Sequence, residues 1–395
     1  MKIAAILESN VTSGGGFNQA LNAVVQMARI CKSKYEFVVF TSCHENIVFL
    51  ERLGCNAVEL KGGFIDKWLI FSAANPWLRR LQSKLKLCGN WEKGLLAADV
   101  DLVYFVSPGT TCLALQRLNY IATVWDLCHR DTPEFPEVRE FNKFLSREHM
   151  YTNTLAQSLF IVCDSKTLTN KISLRYGVDD GRLLAMPFSP APFAEEEYSI
   201  DKIIVLTKYD LKEGYYFYPA QFWAHKNHVR ILQALVALKS KGIQRQVIFC
   251  GGDYGNLTHV IATVKKLGLE KDVKFLGFVP AEDMRGLYEG CAAVVMPSYF
   301  GPTNLPPLEA WKLGRPLIYS SHLAKQVGNA ALLVNPDLVE ELVEAMLRVL
   351  CQSVANDLIG QGFIRLTEIE GVVEESEKNM INRLEAFSKR LECWK

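Results

Sequence analysis

Short apolar runs bounded by polar or glycine-containing stretches recur along nearly the whole chain. Between them lie longer stretches whose apolar residues return at helical spacing. Such alternation marks parallel sheets built from strand-helix-strand units, so the expected fold class is α/β. In the first half the runs predict strands at Lys2–Leu7, Phe37–Thr41, Ala57–Leu60, Leu102–Phe105, Ile121–Val124 and Phe160–Val162. The pattern then restarts, with strands predicted at Tyr215–Tyr218, Gln246–Cys250, Val273–Leu276, Ala293–Met296, Pro316–Tyr319 and Ala331–Val334. Between the two sets, "MPFSPAPFAEEEYSI" is rich in proline and acidic residues and reads as a linker near Pro187–Ser199. The expected layout is a first doubly wound domain over 1–190, a second over 200–375, and a helix over 376–395 available to pack back on the first. Two such sheets facing each other across a cleft bring together the loops at their strands' carboxyl ends, where these folds bind ligands.

Bulk composition narrows the function classes. A length of 395 residues suits two ordinary domains, and 49% hydrophobic with 22% charged residues describes a packed globular chain. Lys plus Arg number 44 against 43 Asp plus Glu, a net charge of +1 that offers no electrostatic case for a nucleic-acid partner. Eleven cysteines without a Cys-x-x-Cys pair read as free thiols of a reducing compartment, so a cytoplasmic location is expected. The opening "MKIAAILESN" turns polar too soon for a signal peptide or membrane span.

Five stretches carry candidate chemistry or binding surfaces. In "YYFYPAQFWAHKNHVRILQALVAL", Lys226 lies between a strand and a helix expected to begin near Asn227 or His228, where helix N–H groups and an ammonium together suit an anion; a solvated loop lysine is the plain alternative. In "SYFGPTNLPPLEAWKLGRP", Pro306 or Pro307 suits a first helical turn, and Glu309, in or near that turn, suits either a pair of ribose hydroxyls or simple helix capping. Gly301, Pro302, Thr303 and Asn304 ahead of it form a rigid polar turn. Gly14, Gly15 and Gly16 follow the first strand and allow close backbone approach to a phosphate or sugar, with a plain flexible turn equally open. Asp126 and His129 follow another strand, where carboxylate and imidazole can orient hydroxyls or move protons, although a satisfied structural histidine is the commoner outcome. Residues 68–93 interleave Trp68, Trp77, Leu78, Leu81 and Leu85 with Arg79, Arg80, Lys84 and Lys86, a composition for an anionic membrane face or for an ordinary surface helix.

Taken in order, "YPAQFWAHKNH", "LGFVPAEDMRGLYEGCAAVVMPS", "FGPTNLPPLEAWKLGRPLIYS" and "VGNAALLVNP" resemble glycosyltransferase family 4, the retaining nucleotide-sugar enzymes of the two-domain GT-B fold. "SGGGFNQAL", "VWDLCHRDTPEFPEV" and "CDSKTLTNKI" extend the resemblance over most of residues 1 to 350. The resemblance implies that Lys226, with Gln221 and Asn227, binds a donor diphosphate. It implies that Glu309 holds the nucleotide ribose, that Gly277, Phe278 and Val279 flank the base, and that Thr303, Asn304 and Leu305 line the donor. Gly15 and Gly16 would approach the diphosphate, with Asp126 and His129 bordering the sugar and acceptor. The chain departs from the family pattern in three places. Gly301 stands where a first glutamate is usual, Gln221 where an arginine is common, and Trp125 with Asp126 where a His-Asp pair is usual. The implied activity is metal- and cofactor-free, retaining transfer of a sugar, such as mannose from GDP-mannose or a dTDP-deoxy sugar, to a glycan or lipid-linked glycan of a surface polysaccharide. A catalytically silent GT-B protein that binds sugar or nucleotide is the competing reading. A dinucleotide oxidoreductase is disfavoured, because no Gly-x-Gly-x-x-Gly follows the first strand.

Overall fold

The computed structural model describes every residue except 12–14, 33, 74, 195–199 and 302, so Gly14, Pro302 and the acidic end of the expected linker lie outside the described residues. Two parallel sheets account for the strands. The first comprises β1 (Lys2–Leu7), β2 (Glu36–Thr41), β3 (Ala57–Glu59), β4 (Leu102–Phe105), β5 (Asn119–Val124), β6 (Phe160–Cys163) and β7 (Leu183–Ala185), in the order β3-β2-β1-β4-β5-β6-β7. The second comprises β8 (Tyr215–Pro219), β9 (Val247–Cys250), β10 (Val273–Phe275), β11 (Cys291–Met296), β12 (Leu317–Ser320) and β13 (Leu332–Val334), in the order β10-β9-β8-β11-β12-β13. The α/β expectation is met by two doubly wound sheets.

The strands read as unbroken apolar runs because both faces of each sheet are covered by helices. Along β1, Ala4 and Ile6 join one core cluster while Ile3, Ala5 and Leu7 join the other, one on each face. Every predicted strand is present with ends shifted by a residue or two; β7, three residues long, was not foreseen.

By contact the chain divides into two units, one of residues 1–133, 138–188 and 372–395, the other of 134–137 and 189–371. Two features differ from the expected boundaries. Glu134–Glu137, from the loop after β5, groups with the second unit, and the last helix, Gln352–Leu391, is a continuous run of 40 residues whose part from Val372 onward groups with the first. Met380, Leu384 and Phe387 of that helix are buried in the core cluster on one face of the first sheet.

Within each sheet the chain order reverses beside one strand. In the second sheet β8 leads outward to β9 on one side and neighbours β11 on the other. The carboxyl ends of β8 and β11 therefore form a topological switch point, where a doubly wound sheet leaves a crevice.

Gly362, in the last helix, tests the packing of the second unit, because an added Cβ would lie 2.5 Å from Cδ1 of the fully buried Trp311. Gly362→Ala is expected to lower the thermal midpoint although alanine favours helix by about 1 kcal/mol, since overpacking costs about 1–3 kcal/mol. Gly371→Ala, in the same helix with nothing near its Cβ position, is expected to raise it. Equal shifts for the two variants in calorimetry would contradict this packing.

Candidate functional site

β8 runs out at Pro219, and a short 3-10 turn, Ala224–Lys226, leads into the helix His228–Ser240. The left-handed conformation of Asn227 (φ 57°, ψ 38°) makes the turn between them. The turn is held from three sides. Tyr218 donates its hydroxyl proton to the Lys226 carbonyl at 2.9 Å, and the Asn227 amide donates to the carbonyls of Pro297 and Pro336 at 3.1 and 3.0 Å. Asn227 thus ties the turn to the segments after β11 and β13. The Lys226 ammonium donates to Oδ1 of Asn304 at 3.1 Å.

Asn304 arrives from the neighbouring strand. After β11, Gly301 takes φ 114°, a conformation that L side chains rarely adopt, and a Cβ there would lie 2.8 Å from Asn304 Oδ1. Asn304 is the extended residue preceding the helix Leu305–Lys312, which carries prolines in its first turn. Those prolines remove N–H groups that have no intrahelical acceptor. Glu309 falls just past the first turn and is buried, so it caps nothing; its Oε2 accepts the Tyr288 hydroxyl in a short hydrogen bond. Burial pushes its carboxyl up to about 7, partly offset by that hydrogen bond.

The other residues expected from the motifs have the following contacts. Gln221 accepts from the Trp223 indole N–H at 3.0 Å. Gly277, at φ 65°, accepts the Gly251 N–H at 2.8 Å, beside an exposed Phe278 and a buried Val279. Thr303 is half-buried and Leu305 buried.

A further carboxylate was not foreseen. Glu137 accepts from the backbone N–H of His225 at 2.9 Å and bonds its ring Nδ1 at 2.5 Å, while that ring stacks on Phe300 with centroids 3.6 Å apart. Glu137 is held below the usual carboxylate range: burial works against its charge, but the hydrogen bonds from His225 outweigh it. It lies inside "VWDLCHRDTPEFPEV", a stretch from which only Asp126 and His129 were singled out.

In the first unit the structure corrects the reading of His129. Its side chain is 0% exposed, with Nε2 2.6 Å from Glu148, a carboxylate that also accepts from Arg130 and Tyr176. Burial pulls the imidazole below its ordinary value, so it is a neutral core histidine with no exposed atom to offer an acceptor. Asp126 accepts from Arg147 at 2.8 Å, and that guanidinium, against the burial penalty, holds it below the usual carboxylate range. Gly15 and Gly16 are the first two residues of the helix Gly15–Cys31, with open space where a Gly15 Cβ would be and the Trp125 ring 3.8 Å from that of Gly16.

Residues 200–361, which include this pair of turns, match the family described as Glycosyl transferases group 1. "O-antigen chain mannosyltransferase B" of Escherichia coli is 31% identical over 150 residues, covering 37% of this chain and 39% of that protein. "O-antigen chain mannosyltransferase RfbU" of Salmonella typhimurium is 29% identical over 177 residues, covering 44% of this chain and 46% of its own. The matched stretch therefore spans less than half the length of either relative. Among solved structures, Anabaena Alr3699/HepE in complex with UDP and glucose aligns over 96% of this chain and 99% of its own, with a TM-score of 0.71 at 14% identity, a likeness of fold alone. The fold is that of GT-B glycosyltransferases, as the motifs implied.

The Glu309 carboxyl has a measurable signature. Between its unfolded value near 4.5 and its folded value of about 7, the native chain binds a proton that the unfolded chain has lost, so stability falls as pH rises through that window and levels off above it. Glu309→Gln removes this slope. Without ligand, variant and parent are expected to melt together near pH 4.5, and above pH 7 the variant should gain up to roughly 3 kcal/mol. Parallel pH-stability curves would refute the assignment.

Proposed function

We propose that this chain is a retaining glycosyltransferase that transfers a sugar from a nucleoside-diphosphate donor to a hydroxyl of a glycan or lipid-linked glycan. The observation that carries this reading is the convergence, at the switch point of the second sheet, of Lys226 on one turn and Asn304 on the next, with Glu309 on the helix that Asn304 opens. An ammonium beside two helix N-termini suits a diphosphate, and a buried carboxyl near neutrality suits ribose hydroxyls. The printed names of the relatives, both O-antigen mannosyltransferases, favour mannose and a surface polysaccharide as product.

In the proposed step the bond between the anomeric carbon and the diphosphate oxygen breaks as the acceptor oxygen attacks the same face. The acceptor's proton passes to the departing phosphate oxygen. Charge developing on the diphosphate is met by Lys226 and by the amino end of the helix His228–Ser240, and the step as proposed uses no metal. His129 has no part in it.

The exposed apolar surface of the first unit supports a peripheral membrane contact, which would place the protein on the cytoplasmic face with a lipid-linked acceptor. Phe64 is 82% exposed, Phe71 77% and Trp77 77%, with Leu81 and Leu85 also exposed and Arg80 over the Trp77 ring. The patch is narrower than the stretch 68–93, since Trp91 is core and Trp68 half-buried; the Arg79 side chain lies outside the described residues.

Purified protein, a panel of GDP-, UDP- and dTDP-sugars and extracted glycolipid are expected to give transfer that survives chelation, and the matching nucleoside diphosphate should raise the melting point. Lys226→Ala is expected to lower turnover at least about tenfold, roughly 1.4 kcal/mol. Glycan binding with neither transfer nor donor hydrolysis would favour the silent binding protein instead. For the membrane contact, Trp77→Ala with Lys84→Glu should cut flotation with anionic vesicles about tenfold in low salt; flotation equal to the parent would remove it.

A further inference from the structure

Gln326 was no part of the motifs read from the sequence, since the quoted stretch "VGNAALLVNP" begins one residue after it. In the structure its buried side-chain amide makes a two-way clamp on the main chain of Asn304: Oε1 accepts the Asn304 N–H at 3.0 Å and Nε2 donates to the Asn304 carbonyl at 2.7 Å. The same Oε1 accepts the hydroxyl proton of Tyr319 at 2.7 Å, and the Tyr319 oxygen accepts from Asn304 Nδ2 at 2.6 Å. Asn304 Nδ2 also donates to the Gly301 carbonyl at 2.9 Å.

The direction of these bonds matters more than their number. Tyr319 has one proton and gives it to Gln326, so toward Asn304 its oxygen acts as acceptor and must face the NH2 side of that amide. The Gly301 carbonyl demands the same side. The carbonyl side of the Asn304 amide is thereby turned to the Lys226 ammonium. Were Tyr319 to give its proton to the Asn304 amide instead, an NH2 group would face the ammonium.

We propose that Gln326, acting through Tyr319 and Asn304, is a positioning residue for Lys226: it sets where the ammonium stands for a donor diphosphate. This rests on the reading of Lys226 as the diphosphate-binding group. An amide fills the position at neutral pH where a carboxylate cannot, because the clamp needs a donor and an acceptor on one side chain. A carboxylate keeps the bonds from the Asn304 N–H and the Tyr319 hydroxyl and sets an oxygen against the Asn304 carbonyl; a carboxylic acid restores the missing donor. The charged groups nearby are the Lys226 ammonium, Lys325 next in sequence, and Arg365, whose guanidinium donates to the Gln326 main-chain carbonyl at 3.0 Å.

The test uses the full chain with GDP and UDP as probes, affinity being read by titration calorimetry and each variant compared with the parent at the same pH so that the Glu309 titration cancels. Gln326→Glu is expected to bind the preferred diphosphate at least about tenfold more weakly near pH 8 and to move toward the parent as pH falls to about 4, where a glutamate carboxyl takes up its proton. In a Lys226→Ala background it should have no further effect, as for residues acting through one group. Tyr319→Phe, which removes only the hydroxyl, should weaken binding about threefold or more and decides the matter if Gln326→Glu fails to fold. Parent-like binding near pH 8 by every folded variant of the pair, a loss that does not recover at low pH, or an undiminished loss in the Lys226→Ala background would overturn the clamp while leaving Lys226 in its role. Parent-like binding by Lys226→Ala itself, or no binding by the parent, would overturn the diphosphate reading and the clamp with it.

Discussion

The hydrogen bond from the Lys226 ammonium to the amide oxygen of Asn304 is the contact on which the arrangement of the second unit's crevice depends. A cation at the amino end of one helix and against the amino end of another is opposed by both helix dipoles. It stays where it is because its surroundings are fixed independently. The Lys226 carbonyl is held by Tyr218, the next residue is in a left-handed turn tied to two other loops, and Asn304 is built into the start of its own helix. The dipoles that disfavour the lysine also favour an anion beside it, which is the physical basis of the proposed diphosphate site.

Two buried carboxyls near these turns are treated in opposite ways. Glu137 meets both the N–H and the ring of His225 and stays ionised, whereas Glu309 has the Tyr288 hydroxyl against a stronger burial penalty and sits near neutrality. The difference lies in how many donors each is given, since a carboxylate's charge survives burial only when hydrogen bonds replace lost water. An ionised Glu309 would repel a diphosphate on the same helix; a carboxyl near neutrality can lose or keep its proton as the ligand requires.

Much of this was legible in the chain, for identifiable reasons. Buried parallel strands are continuous apolar runs, so all but the three-residue β7 could be read directly. Lys226, Asn304 and Glu309 stood out because strand-to-helix turns carry their own signals in proline, glycine and asparagine. What escaped were partners fixed only by tertiary folding. Glu137 lies 88 residues from His225, Tyr288 lies 21 from Glu309, and Gln326 lies 22 from Asn304, separations at which no periodicity or capping pattern speaks. For His129 the sequence left a proton-moving imidazole and a structural histidine both open, and the partner that favours the second, Glu148, lies 19 residues away and is itself held by Arg130 and Tyr176.

The departure at Gly301 takes on a different meaning beside Asn304. With φ at 114° and a Cβ position only 2.8 Å from Asn304 Oδ1, residue 301 cannot carry a side chain while Asn304 keeps its place against Lys226. The Gly301 carbonyl moreover accepts from the Asn304 amide, so the glycine supplies a backbone acceptor as well as room. Glycine at 301, asparagine at 304 and glutamine at 326 are therefore one solution to one problem. A carboxylate restored at 301 alone would displace the amide that holds the ammonium. Every member of this network is buried or sterically fixed, and its hydrogen bonds interlock, so glycine at 301 is part of how the amide of Asn304 is held against Lys226.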